Sequence, residues 1–167
     1  MKYVKMLISV LVLIVLDQIT KIAVYANLRP IGRIPLIDGV LSLTYLENRG
    51  AAWGIMQGQI PVLSIITVIV LAFILYFYGR VPDDKKYIWF KLTMTLIMAG
   101  AIGNLFDRII RTFVVDFIYF ELINFPIFNV ADIYVTCGAF LLIFVTLFVY
   151  KDDTDYAWIS LKKKETK

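Results

Sequence analysis

Two aspartates, Asp116 and Asp132, are the side chains whose type and placement best suit chemistry in this 167-residue chain. Carboxyl groups held a few ångströms apart cannot both ionise, so they share a proton. One can then act as a base toward water while the other donates to a carbonyl oxygen. That is aspartic peptidase chemistry, and it requires neither a metal nor an organic cofactor; none is expected here. The chain has no histidine and a single cysteine, Cys137, which disfavours zinc sites, Ser-His or Cys-His catalysis and any internal disulfide. Cys137, between Thr136 and Gly138 in an apolar run, reads as a packing residue.

Further polar groups recur at helical spacing. Asp17 and Lys21 stand at i, i+4; Asn104, Asp107 and Arg108 at i, i+3, i+4; Asn129 and Asp132 are three apart. Such spacings put each set on one helix face. Each set also has a plain structural reading. Asp17 and Lys21 can neutralise each other, Asp132 can complement a helix N-terminus, and the asparagines can satisfy buried backbone groups. Arg108 either pairs with Asp107, keeping that carboxylate ionised and acceptor-only, or orients the dyad or a substrate.

The elements that must position these groups are apolar. The chain is 60% hydrophobic with a mean hydropathy of +0.80, well above the roughly 45–50% apolar content of soluble domains. Four runs, residues 4–24, 62–78, 88–106 and 130–150, are each long enough to cross a ~30 Å hydrocarbon layer as a helix. Together they predict an all-α membrane protein forming one domain over residues 1–167. The first run follows Lys2 and Lys5 but lacks a prompt small-x-small cleavage site and is interrupted by Asp17 and Lys21, so a retained anchor is expected. The net charge of +4 sits mainly beside the apolar runs, where basic residues set membrane orientation, and no nucleic-acid partner is expected.

The N-terminus, the 79–91 connection and the C-terminal tail carry eleven Lys and Arg residues, against five in the 25–61 and 107–129 connections. Both termini are therefore expected in the cytoplasm, with the two latter connections outside. With that orientation every polar group named above falls toward one membrane surface. By the ~1.5 Å rise per residue, Asp132 lies roughly 27 Å from the cytoplasmic end of its helix and Asp17 roughly 20 Å from the start of its own. A pocket opening outward keeps these groups from facing lipid. An ion pathway would instead distribute charge through the whole bilayer depth, and the inner halves of the first, third and fourth spans carry almost none. In the outer connection residues 40–46 partly alternate apolar with polar, predicting a strand and a small sheet. Residues 51–57, carrying Trp53 and Met56, predict a short interfacial helix. Gly100, Ala101 and Gly103 predict close helix approach, and the Lys162-Lys163-Lys164 tail a disordered anchor.

Five ordered motifs then carry a specific resemblance: Asp17-Gln18-Ile19-Thr20-Lys21, Asn48-Arg49-Gly50-Ala51-Ala52-Trp53-Gly54, Gly100-Ala101-Ile102-Gly103-Asn104-Leu105-Phe106-Asp107-Arg108, Val114-Val115-Asp116-Phe117 and Phe128-Asn129-Val130-Ala131-Asp132. In these the chain resembles the bacterial lipoprotein signal peptidase family, signal peptidase II. The resemblance implies that Asp116 and Asp132 are the catalytic dyad, with Asp17, Asn48, Asn104, Arg108 and Asn129 supporting it and Lys21 beside Asp17. It implies four transmembrane helices with a small extracytoplasmic β-cradle and a short interfacial helix, in a bacterial cytoplasmic membrane. The expected partners are diacylglyceryl-modified prolipoproteins, cleaved just before the lipid-modified cysteine, and membrane lipids; a monomer is expected. Three positions depart from the family pattern. Thr112 stands where the family usually has glycine, Ile133 where a small polar residue is common after the second aspartate, and Arg49 is a bulky variant; these bear on local geometry.

Overall fold

The computed structural model describes residues 2–51 and 55–159. Four helices of membrane-crossing length are present: α1 (Lys2–Asn27), α2 (Ile60–Arg80), α3 (Ile88–Arg111) and α4 (Val130–Phe144), the last continued by a wider turn over Val145–Val149. A three-stranded antiparallel sheet accompanies them, with β1 (Arg33–Ile37) and β2 (Leu41–Asn48) between α1 and α2, and β3 (Val114–Phe120) between α3 and α4. The helices match the four expected runs. Helix α3 continues past residue 106 to Arg111, so Asp107, Arg108 and Arg111 are all helical.

The central element is α3, which packs against the other three long helices. Its small residues set the approach to α4. A Cβ on Gly100 would stand 2.3 Å from the Ala131 carbonyl oxygen, and one on Gly103 would stand 2.8 Å from Asp17 Oδ2. Met6, Val10, Tyr78, Met98 and Ala99 form one buried cluster, and Val81, Phe90, Val145 and Tyr150 another. The outward faces carry Leu7, Leu11, Ile69, Phe73 and Ile143, all more than half exposed. In water such a surface would be a large uncovered apolar area; against lipid tails it is the expected covering.

The expected strand over residues 40–46 is β2, shifted slightly to Leu41–Asn48. The sheet order is β1-β2-β3, with Leu46 opposite Asp116 and Asn48 opposite Val114. Arg33 donates from Nε and Nη2 to the two carboxylate oxygens of Glu121, both at 2.8 Å, tying β1 to the segment after β3. Residues 52–54 of the expected interfacial helix lie outside the described residues, and residues 55–58 form turns. The lysine tail also lies outside the described residues.

Candidate active site

Asp116, read from sequence as part of a connection, stands in the middle of β3 and is 1% exposed. Its partner strand β2 ends at Asn48, whose Nδ2 donates to Asp116 Oδ2 at 2.9 Å. Asn48 Oδ1 accepts in turn from the Gly50 backbone N–H at 2.9 Å. Asp132 is placed by a helix start. Asn129 caps α4: its side chain accepts from the Asp132 N–H at 3.0 Å, while Asp132 Oδ2 accepts from the Asn129 N–H at 3.1 Å. This reciprocal cap satisfies two backbone donors that the helix would otherwise leave open.

Two asparagines join the aspartates. Asn129 Nδ2 donates to Asp116 Oδ1 at 2.6 Å and to Asn104 Oδ1 at 3.1 Å, and Asn104 Nδ2 donates to Asp132 Oδ1 at 2.7 Å. Both carboxyl groups line one cavity of about 360 Å³ together with Asn48, Asn104 and Arg108. Burial pushes the Asp116 carboxyl up to about 7, the charge of Asp132 adds to the shift, and the amide donors of Asn48 and Asn129 oppose it. The Asp116 carboxyl therefore keeps its proton to far higher pH than an ordinary carboxyl, as expected for a buried acid with a second carboxylate on the same cavity.

Asp17 and Lys21 stand behind this cavity. Lys21 is fully buried, with its Nζ 3.0 Å from Asp17 Oδ2, 3.0 Å from Asp107 Oδ2 and 2.9 Å from Asn104 Oδ1. Asp17 Oδ1 accepts the Ala131 N–H of α4 at 2.9 Å. Asp107 also pairs with Arg111, which donates to Gln18 Oε1 at 3.1 Å. Two acids and two bases are thus neutralised within one buried network linking α1, α3 and α4, so neither sign is left uncompensated.

Two expectations need correction. Asp107 pairs with Lys21 and Arg111, not with Arg108. Arg108 lines the cavity, donates from Nη2 to the Gly50 carbonyl at 3.2 Å, and has a buried Nε with no partner among the described residues. Cys137 does not serve as packing: it is exposed and lines the cavity one helical turn or so below Asp132. Gln18 and Arg111 entered the network without having been singled out, although Arg111 stands at i+4 from Asp107 and the spacing that flagged Asp17 with Lys21 applies equally there.

Four membrane-length helices, with two aspartates on one cavity between α3, α4 and the sheet, define a multi-pass membrane protein. Residues 9–148 match the family model for signal peptidase (SPase) II. The chain is 43% identical over 145 residues to a lipoprotein signal peptidase of Streptococcus thermophilus strain CNRZ 1066, covering 87% of this chain and 94% of that protein. It is 40% identical over 136 residues to one of Streptococcus pyogenes serotype M5 strain Manfredo, covering 81% and 88%. Two solved structures described as bacterial membrane enzymes superpose with TM-scores of 0.76 and 0.75 at 33% and 34% identity. They cover 95% and 87% of this chain and 93% and 94% of their own. The chain belongs to the signal peptidase II family, and it is a multi-pass membrane protease.

Proposed function

We propose that this protein removes the signal peptide from diacylglyceryl-modified prolipoproteins, cutting just before the lipid-modified cysteine, and that Asp116 and Asp132 perform the hydrolysis. The observation that carries this reading is the pair of aspartates joined through Asn129 and Asn104 and facing a single cavity. Family membership supplies the substrate class.

In this reading Asp116 holds the shared proton and Asp132 accepts one from a water seated between them. Asn104 Nδ2 and the Asn129 N–H, both donating to Asp132, hold its carboxyl in place for that role. The water oxygen attacks the scissile carbonyl carbon as Asp116 gives its proton to the carbonyl oxygen, producing a neutral tetrahedral gem-diol. The C–N bond then breaks, the proton gained by Asp132 passes to the leaving amine, and a gem-diol proton returns to Asp116. Asn48 and Asn129 keep the Asp116 carboxyl fixed through both steps. Arg108, turned toward the cavity, orients the bound peptide through carbonyl contacts.

The lower cavity wall is built by Ile133, Val135, Thr136 and Cys137 of α4, facing residues 125–128. It is largely apolar, which suits a substrate whose signal helix and acyl chains arrive through the bilayer. The lysine and arginine distribution supports cytoplasmic termini and an outward site in a bacterial cytoplasmic membrane, and we take the working unit to be a monomer in contact with membrane lipids. The test is cleavage by purified protein of one prolipoprotein in diacylglyceryl-modified and unmodified forms. Cleavage of the modified form alone is expected; equal cleavage of both would remove the lipid from substrate recognition.

A further inference from the structure

A cavity of about 840 Å³ lies at the opposite end of the bundle from the aspartates. By the ~1.5 Å rise per residue, its Lys5 is roughly 18 Å along α1 from Asp17, and none of its lining is shared with the candidate active site. It is a cleft between α1 and α3. Ser9, Val12 and Leu13 form one wall, and Ile88, Leu92 and Leu96, each four residues on from the last, form the other. A cleft with apolar walls at membrane depth accommodates a hydrocarbon chain.

Its rim is charged, and the charges divide into those already engaged and those left open. Lys2 donates to the Gly79 carbonyl at 2.9 Å and to that of Val81. Lys91 pairs with Asp83 at 2.8 Å, while Asp84 accepts the Lys86 N–H at 2.7 Å and has no cationic partner among the described residues. Lys5 and Lys85, both exposed, have no acidic partner among the described residues. At the cleft head Tyr78 is 3% exposed, yet its hydroxyl has no hydrogen-bond partner among the described residues. Two open ammonium groups, set against one open carboxylate, and the Tyr78 hydroxyl thus line the head of an apolar cleft.

We infer that this cleft binds one anionic phospholipid, its phosphate held by Lys5, Lys85 and the Tyr78 hydroxyl and one acyl chain lying between α1 and α3. The charge complements a phosphate diester, basic pockets between membrane helices hold anionic headgroups in this way, and the ammonium groups serve as compact point charges for it. The site is independent of the hydrolytic mechanism.

The test uses the full-length protein in detergent, with thermal unfolding and native mass spectrometry after addition of phosphatidylglycerol or phosphatidylcholine bearing identical chains. Phosphatidylglycerol is expected to be retained at one per protein and to raise Tm saturably, with phosphatidylcholine at least tenfold weaker. Lys5→Gln with Lys85→Gln should abolish that preference, and Tyr78→Phe should weaken phosphatidylglycerol severalfold. Ser9→Trp, which fills the cleft from an exposed position, should abolish retention with the lysines intact. Adding Val4→Lys to the double lysine variant restores the local charge away from the cleft and should not restore binding; recovery there would reduce the effect to general surface charge and overturn the site. Equal response to both lipids, unchanged retention in Ser9→Trp, or full replacement of the lipid by inorganic phosphate would overturn it as well.

Discussion

Lys21 Nζ lies 2.9 Å from Asn104 Oδ1, and the Nδ2 of the same asparagine lies 2.7 Å from Asp132 Oδ1. A lysine ammonium only donates, so it holds the amide oxygen toward α1 and turns the amide nitrogen toward the aspartate. A buried charge network that touches no cavity wall is in this way connected to the residue proposed as the base.

The first prediction concerns that network. Lys21→Met leaves Asp17 and Asp107 facing one another without their shared cation, and breaking a buried ion pair by removing one partner costs about 3–5 kcal/mol. The double variant Asp17→Asn with Lys21→Met removes one charge of each sign, keeps Arg111 beside Asp107, and is expected to recover most of the lost stability. Asp17→Asn alone should be less stable than wild type while retaining appreciable turnover. Thermal unfolding of the three proteins decides this, and loss of turnover in Asp17→Asn at unchanged stability would move Asp17 into the chemistry.

Helical spacing made part of this site legible from sequence, because Asp17 with Lys21 and Asn129 with Asp132 each act within a single turn. The β3 environment of Asp116 was not legible. Its strand, Val-Val-Asp-Phe-Ile-Tyr-Phe, is apolar on both sides of the aspartate and lacks alternation, and the Asn48 that holds it is 68 residues away in the chain. The same distance problem hid the contact from Lys21 to Asn104, 83 residues apart. Spacing placed Asp107 and Arg108 on one side of α3, but only the packed structure shows Asp107 turning to Lys21 and Arg111 while Arg108 turns to the cavity. Cys137 was misread because an apolar run does not reveal which helix face borders a cavity.

Thr112 ends α3 with φ +63°, the left-handed region that suits glycine. A side chain with a branched Cβ is strained there, by roughly 1 kcal/mol relative to glycine. Thr112→Gly relieves that strain but loses the 2.6 Å hydrogen bond from Thr112 Oγ1 to the Arg111 carbonyl and gains unfolded-state entropy. The expected net is a stabilisation of a few tenths to about 1 kcal/mol, with Thr112→Val destabilised by a similar amount because it keeps the strain and drops the hydroxyl. Unfolding midpoints of the two variants measure this, and a less stable Thr112→Gly would contradict it.

The Asp116 carboxyl, pushed up to about 7 mainly by burial, sets a pH dependence with a definite sign. Above that value the shared proton leaves and the proposed acid is lost, so kcat/KM should fall on the alkaline side with a limb near pH 7. Asn48 donates to the ionised form; Asn48→Ala therefore raises the carboxyl further and should move the limb to higher pH while lowering the maximum rate. Stability follows the same linkage. Because folding raises this carboxyl, the folded state holds a proton that the unfolded state releases between about pH 4 and pH 7, and stability contributed here falls as pH rises through that window. Asp116→Asn should flatten that part of the stability profile. A pH–rate series for wild type and Asn48→Ala, with unfolding at matched pH, tests both statements, and a limb that stays in place without Asn48 would contradict the assignment.

The last prediction is the dyad itself. Replacing Asp116 or Asp132 by asparagine preserves size and one acceptor oxygen of two, so one of the two donor contacts at each position survives, while the ability to share and transfer a proton is removed. Each single change is expected to lower cleavage of a diacylglyceryl-modified prolipoprotein by at least ~10³-fold, the order expected of groups that act as a unit, and the double change should be scarcely worse than either alone. Substrate binding should persist in all three, since in the proposed mode the signal helix and acyl chains rest on the apolar wall below the carboxyl groups. Single-turnover cleavage and a binding assay on the same preparations separate the two effects. Near-wild-type cleavage in either asparagine variant, or loss of binding in step with loss of rate, would assign Asp116 and Asp132 to scaffolding and place the hydrolytic groups elsewhere in the cavity.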